Sequence, residues 1–322
     1  MPHRSPAPLI YTPGIGWTYE SVSRKGNWHR GRAKEQMDIA REAMEEKDFK
    51  LARKSAHRTL KNWPLSDYAA EAQFIKGLAY EELNRPEKAF NEYQKIIDNY
   101  PKFENYDNVL ERQYEIAGKF LDGRWFRLWG YIPVFPSMQK TADMYKKLIE
   151  NGPYTDVGAQ ASLKVGEANE KQKNFHAAVQ ALTKAADRYH DRKNVASEAL
   201  FRAGLAYQKQ AKTAEYDQDA AVQAINTFTD FIALYPEDER VDEAREIIES
   251  LRTEQARGAY KIARYYEKQK SWKAGLVYYN EVLILDPNSS YGDEAKERIE
   301  MIKMILKEVE AVKAEYGLTE DL

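Results

Sequence analysis

A small residue and a helix stop recur along this chain at a set separation, and that spacing limits the possible folds more than any other feature. Gly77 to Pro101, Gly166 to His190, Ala40 to Pro64 and Ala263 to Pro287 are each 24 residues apart. Ala117 to Pro153 and Gly204 to Pro236 stretch the interval to 36 and 32, as though 12 and 8 residues had been inserted. A second small residue stands 12 before each stop, at Ala52, Ala89, Ala178, Ala224 and Gly275, with Thr141 the exception. Large side chains follow four residues later at Tyr93, Tyr145, Leu182, Phe228 and Tyr279. Small residues let two antiparallel helices approach closely, bulky ones fill the space between them, and proline ends the second helix. The chain therefore reads as a row of helix hairpins.

A hairpin period of about 34 residues is the tetratricopeptide pattern. The expected fold is all-α, a tetratricopeptide-like right-handed helical solenoid of about six hairpins with a C-terminal capping helix. Residues 1–27 are rich in Pro, Gly and Ser and predict an extended lead-in, with Leu9-Ile10-Tyr11 and Trp17-Thr18-Tyr19 apolar enough to dock on the helices. Hairpins are predicted over 29–63, 66–100, 105–153, 155–190 and 193–235, with Ser66-Asp67 placed to cap the second. The repeat region as a whole spans 28–290, including an aromatic insertion at 122–137. In the sixth unit a stretch at 238–256 keeps helical spacing through Val241, Ala244, Ile247, Ile248 and Leu251, so an extended helix is expected, with a break near Thr253 open. Residues 291–322 form the capping helix and tail. Its stripe of Ala295, Ile299, Ile302, Ile305, Val309, Val312 and Tyr316 would cover the last hairpin or meet a partner.

Composition removes several function classes. With 49 Lys and Arg against 51 Asp and Glu, interleaved, no basic face stands out for nucleic acid. The absence of cysteine removes disulfides, thiolate metal sites and cysteine nucleophiles. The five histidines are scattered without metal-ligand spacing, and Gly14-Ile15-Gly16 lacks the helix a phosphate loop needs. The sequence predicts no enzyme, no catalytic residue, no metal and no cofactor.

Two features remain. The insertion Arg124-Trp125-Phe126-Arg127-Leu128-Trp129-Gly130-Tyr131-Ile132-Pro133-Val134-Phe135-Pro136 is too broken by Gly and Pro to be one helix. Its Trp125, Phe126, Trp129, Tyr131 and Phe135 either fold back and fill the inner groove of the solenoid or meet a protein partner or a bilayer surface. The second is the inward side of the first helices, three before and one after each small residue: Met37 and Arg41, Phe74 and Leu78, Tyr114 and Gly118, Leu163 and Glu167, Phe201 and Leu205, Tyr260 and Arg264. These pack between neighbouring helices or line a trough. Met37, Arg41, Met44, Phe74, Leu78 and Tyr114 are the candidate peptide groove, suited to an extended segment with bulky side chains and a carboxylate.

The joints Trp63-Pro64-Leu65-Ser66-Asp67-Tyr68-Ala69, Tyr235-Pro236-Glu237-Asp238 and Asp286-Pro287-Asn288-Ser289-Ser290-Tyr291 resemble those of the BamD family. So does Ala263-Arg264-Tyr265-Tyr266-Glu267-Lys268 followed by Trp272 and Tyr278-Tyr279. The resemblance covers about 28–300, while the aromatic insertion lies outside the family's pattern. It implies a non-enzymatic tetratricopeptide lipoprotein on the periplasmic face of the outer membrane, anchored by lipid after removal of a leader and lipobox. Its implied partners are β-barrel assembly subunits and the targeting strands of unfolded outer-membrane proteins. The alternative is a periplasmic or cytosolic adaptor or co-chaperone serving cell-wall, motility or chaperone partners.

Overall fold

The computed structural model describes residues 9–12, 16–19, 28–128, 132–213 and 218–316. The chain forms two compact units, 1–161 and 162–322. The first contains β1 (Leu9–Thr12), β2 (Gly16–Tyr19), α1 (Ala33–Glu45), α2 (Phe49–Asn62), α3 (Ala69–Glu82), α4 (Pro86–Asn99), α5 (Tyr106–Leu121), β3 (Phe126–Leu128), β4 (Ile132–Phe135) and α6 (Met138–Asn151). The unit boundary falls within α7 (Asp156–Lys171), and the second unit continues with α8 (Phe175–Arg188), α9 (Lys193–Thr213) and α10 (Gln218–Leu234). It ends with α11 (Val241–Lys268), α12 (Trp272–Leu285) and α13 (Ser290–Tyr316). The protein is all-α and tetratricopeptide-like, with two short antiparallel β-hairpins added.

Four of the first helices, α3, α5, α7 and α11, end in the same way. Asn84, Lys173 and Lys270 adopt φ of 57°, 59° and 56°, and Gly123 adopts 96°. The residue after each of them sends its N–H back to a carbonyl five residues earlier: Arg85 to Tyr80 at 2.8 Å, Asn174 to Asn169 at 3.0 Å, Ser271 to Tyr266 at 3.0 Å and Arg124 to Lys119 at 3.1 Å. This left-handed stop satisfies the last carbonyls and reverses the chain within three residues. The insertion therefore follows a normal helix end, and α6 restarts at Ser137, whose Oγ accepts from the Lys140 N–H at 3.3 Å. Within the insertion β3 and β4 pair, Phe126 opposite Phe135, with Pro133 in β4. The 1–27 lead-in holds a β-hairpin, Leu9 opposite Tyr19, where the sequence predicts only extended chain. Docking of its side chains on the helices lies outside what is described.

Inside each hairpin the small and large residues meet as their spacing predicts. A Cβ on Gly77 would lie 2.4 Å from the Tyr93 ring, one on Gly166 2.5 Å from Leu182, and one on Gly204 2.7 Å from Phe228. Tyr93, Tyr145, Leu182, Phe228 and Tyr279 are all fully buried. The Tyr93 hydroxyl donates to Glu81, which also takes Arg112 Nη1 from the next hairpin at 3.2 Å. Tyr279 repeats the arrangement with Glu267, joined by Arg298 at 3.4 Å. Burial first, then the neighbouring carboxylate, raises both phenols above their ordinary range, so they remain donors.

Polar pairs pin the same interfaces. Buried Glu92 takes Lys76 Nζ at 2.9 Å and Gln73 Nε2 at 2.5 Å. Burial alone would raise the Glu92 carboxyl, yet these donors hold it below the usual carboxylate range. At the α10–α11 joint Asp238 accepts from Arg240 Nε and Nη2, each at 2.8 Å, and the guanidinium lies 4.8 Å from the Phe201 ring centre. The Arg240 hydrogen bonds take Asp238 down to about 2. The helix predicted to start at Ser66-Asp67 instead begins at Ala69, with Tyr68 as an N-cap lacking a side-chain bond. No break occurs at Thr253: α11 is one helix of 28 residues, and the Thr253 hydroxyl donates to Asp286 at 2.6 Å. The α13 stripe divides. Ala295, Ile299 and Ile302 are buried with α11 and α12, whereas Val309 and Val312 are 43% and 50% exposed.

Two outcomes are expected. Gly77→Ala should lower the stability of the first unit by about 1–3 kcal/mol, the usual scale for overpacking, because the bonded Tyr93 ring cannot withdraw; an unchanged urea midpoint would refute this. Glu92 and Asp238 titrate lower folded than unfolded, so their stabilisation is complete above about pH 5 and is lost as pH falls from roughly 4 toward 2. Asp238→Asn should cost about 1–2 kcal/mol at neutral pH and flatten the acid limb of a stability-versus-pH curve.

Candidate functional site

The first unit opens an apolar groove beside α3. Phe74 and Leu78 are four residues apart on α3 and so share one helix face. The opposite wall is the α4–α5 joint, residues 99–105, with Tyr100 and Phe103, and the end wall is Ser66-Asp67 from the joint before α3. The open space between these walls is about 900 Å³. The Phe74 ring lies 5.5 Å from Phe103 and 5.9 Å from Tyr93, while Arg112 lies 6.0 Å from its centre. These contacts pack one side of Phe74 yet leave it and Leu78 half-buried rather than covered.

The other candidates are placed differently. Met37 is fully buried with Ala40, Ala52 and Ala72, so it fills the α1–α2–α3 core and lines nothing. Met44 packs on the edge of the same core. Arg41 is held by Glu71 through two bonds of 2.7 and 2.5 Å and by Asp38 at 2.8 Å. The Glu71 bond, and then the nearby carboxylate charges against the effect of burial, raise its pKa further. The guanidinium that the sequence offers to an incoming carboxylate is thus already occupied by two from its own chain. Tyr114 is half-buried edge-on to Tyr145 at 5.6 Å and is not among the groove residues.

In the second unit the corresponding inward positions are largely packed. Leu163 and Phe201 are buried, Glu167 is ringed by Lys164 at 2.8 Å, Lys171 at 3.3 Å and Arg202 at 3.8 Å, and the Tyr260 hydroxyl donates to Glu294. The groove residues missed by sequence reasoning are Tyr100, Phe103, Asp67 and Glu104. Tyr100 stands in the Asn99-Tyr100-Pro101 joint, where its place before proline marks only a packed turn.

The insertion also separates into inside and outside. Phe126, a candidate contact residue, is 7% exposed and stacks on Phe120 at 4.2 Å, with Lys140 Nζ 5.2 Å from its ring centre. It belongs to the core. Trp125 is 52% exposed, bordering a small pocket with Pro86 and Arg124. Trp129 and Tyr131 lie outside the described residues, and Phe135 is described only as the backbone partner of Phe126. Among the described residues no cluster of three or more His, Asp or Glu could hold a metal ion, and no helix is long and apolar enough to cross a membrane. Phe126→Ala should cost about 2–4 kcal/mol of first-unit stability, and Trp125→Ala about 1 or less; equal losses in urea titrations would contradict this division.

Residues 136–286 match the YfiO family, described as an outer membrane lipoprotein, and residues 37–102 match a tetratricopeptide repeat. No curated protein matches the chain. Among solved structures it is similar to the MamA protein, at 18% identity over 64% of this chain and 92% of that one, TM-score 0.35. Another is the C-terminal part of a tetratricopeptide-repeat protein from Cytophaga hutchinsonii, at 14% identity over 82% and 87%, TM-score 0.38. A third is PilW, a type IV pilus biogenesis factor, at 15% identity over 83% and 99%, TM-score 0.28. The family segment contains the α10–α11 joint and the whole of the Ala263–Tyr279 run, whereas the groove lies outside it, mostly within the tetratricopeptide match and reaching three residues beyond, to Asn105. The chain is a tetratricopeptide-repeat protein that carries a segment matching the BamD (YfiO) family at residues 136–286, a little under half of its length.

Proposed function

We propose that the protein is a non-catalytic scaffold of the outer-membrane protein assembly machinery, working at the periplasmic face of the outer membrane. Its first unit receives extended segments of unfolded β-barrel proteins, and its other surfaces hold partner subunits. The observation that carries the reading is the open groove of about 900 Å³ floored by Phe74 and Leu78. An extended strand presents alternate side chains to one side, so a bulky residue can enter while its neighbours meet the polar rim. The family description as an outer membrane lipoprotein supports the location. Half-exposed Trp125, next to Arg124, supplies a second contact for a protein partner or the bilayer surface.

A fluorescent, C-terminally amidated peptide matching the last strand of an outer-membrane barrel should bind the full chain. Phe74→Ala and Leu78→Ala should each weaken it by about 1–3 kcal/mol, the range for an aromatic or aliphatic anchor, with helicity retained by circular dichroism. Equal affinity in wild type and both variants would discard the groove.

A further inference from the structure

We infer that the groove selects segments in which a bulky apolar side chain is flanked by lysine or arginine, and that it disfavours an adjacent carboxylate. This rests on the groove being the binding site and concerns the chemistry of what it takes. Its lining carries three carboxylates, Asp67, Glu71 and Glu104, against one ammonium, Lys102. Glu71 is neutralised by Arg41 through the pair of bonds described above. Asp67 and Glu104 are exposed, and among the described residues no cation forms an ion pair with either. The second guanidinium near the floor, Arg112, is held by Glu81 at 3.2 Å.

Both arginines beside the aromatic floor are therefore matched within the chain, and the charges left on the walls are Asp67 and Glu104 against Lys102, a net negative. A ligand carboxylate would meet two like charges against the single ammonium of Lys102, and could gain an arginine only by displacing an internal partner. A ligand ammonium or guanidinium meets two carboxylates with no partner to displace. Phe74, Leu78 and Phe103 remain to take the apolar side chain. Single exposed pairs are weak, but a concave wall of net negative charge focuses the field and adds the two carboxylate contributions. The charge then sets the choice among ligands, and the apolar floor provides the shared attraction.

The test uses the full chain and three peptides with one aromatic core: amidated with flanking lysines, amidated with flanking glutamates, and unflanked with a free C-terminal carboxylate. The lysine peptide should bind about tenfold tighter than either acidic form at about 50 mM salt, shrinking to under about threefold at 0.5 M. Asp67→Asn combined with Glu104→Gln should abolish that gap while the aromatic core still binds. Equal affinities, a preference for carboxylate, or a gap that persists in the double variant would overturn the charge selection while leaving the groove standing. Failure of all three peptides to bind would overturn the groove and this inference together.

Discussion

The structure depends on how closely two helices of one hairpin approach. At Gly77, Gly166 and Gly204 the first helix offers bare backbone, and the second presses Tyr93, Leu182 or Phe228 against it. Such contact buries a whole side chain, and dispersion attraction is strong because no gap is left. The tyrosines extend the effect beyond their own hairpin. Tyr93 ends on Glu81, and Glu81 also receives Arg112 from the hairpin that follows. One side chain thus links packing within a hairpin to stacking between hairpins, and Tyr279, Glu267 and Arg298 repeat the link in the second unit.

Where the inward face stays open is decided by what stands opposite it. Phe74 and Leu78 remain half-buried beside an open space that the α4–α5 joint lines with Tyr100 and Phe103, the latter touching only one side of the Phe74 ring at 5.5 Å. In the second unit Phe201 instead packs against Phe228 and Phe231 and is covered by Arg240. Equivalent sequence positions thus stay accessible in one place and serve cohesion in another. The decisive difference is in the joint, not in the helix that carries the aromatic.

This explains which features were legible beforehand. The spacing of Gly77, Ala89, Tyr93 and Pro101 reports local helix geometry, so the hairpins and their fully buried large residues follow from it directly. The continuous α11 was legible to within its suspected break at Thr253, because the side-chain bond to Asp286 comes from a residue 33 positions away. Arg41 was misread for the same reason: Glu71 is 30 residues distant, and nothing local marks the two as partners. Phe126 and Trp125 are neighbours of similar apolar character, yet only the position of Phe120 decides which turns inward. One long-range signal was present and unused. Gln36, Gln73 and Gln113 each stand four residues before a small residue, and all three are buried donors that tie one helix to the next, to Ser55, Glu92 and the Phe90 carbonyl.

The glycines pressed under large side chains also constrain how this sequence can drift over generations. Tyr93 fills the volume that Gly77 leaves empty, and Leu182 and Phe228 do the same at Gly166 and Gly204. Enlarging one partner alone creates a clash, and shrinking the other alone creates a void, so neither lineage step is neutral by itself. Descendants of this chain should carry substitutions at 77 and 93, at 166 and 182, and at 204 and 228 as matched couples, inherited together across each turn.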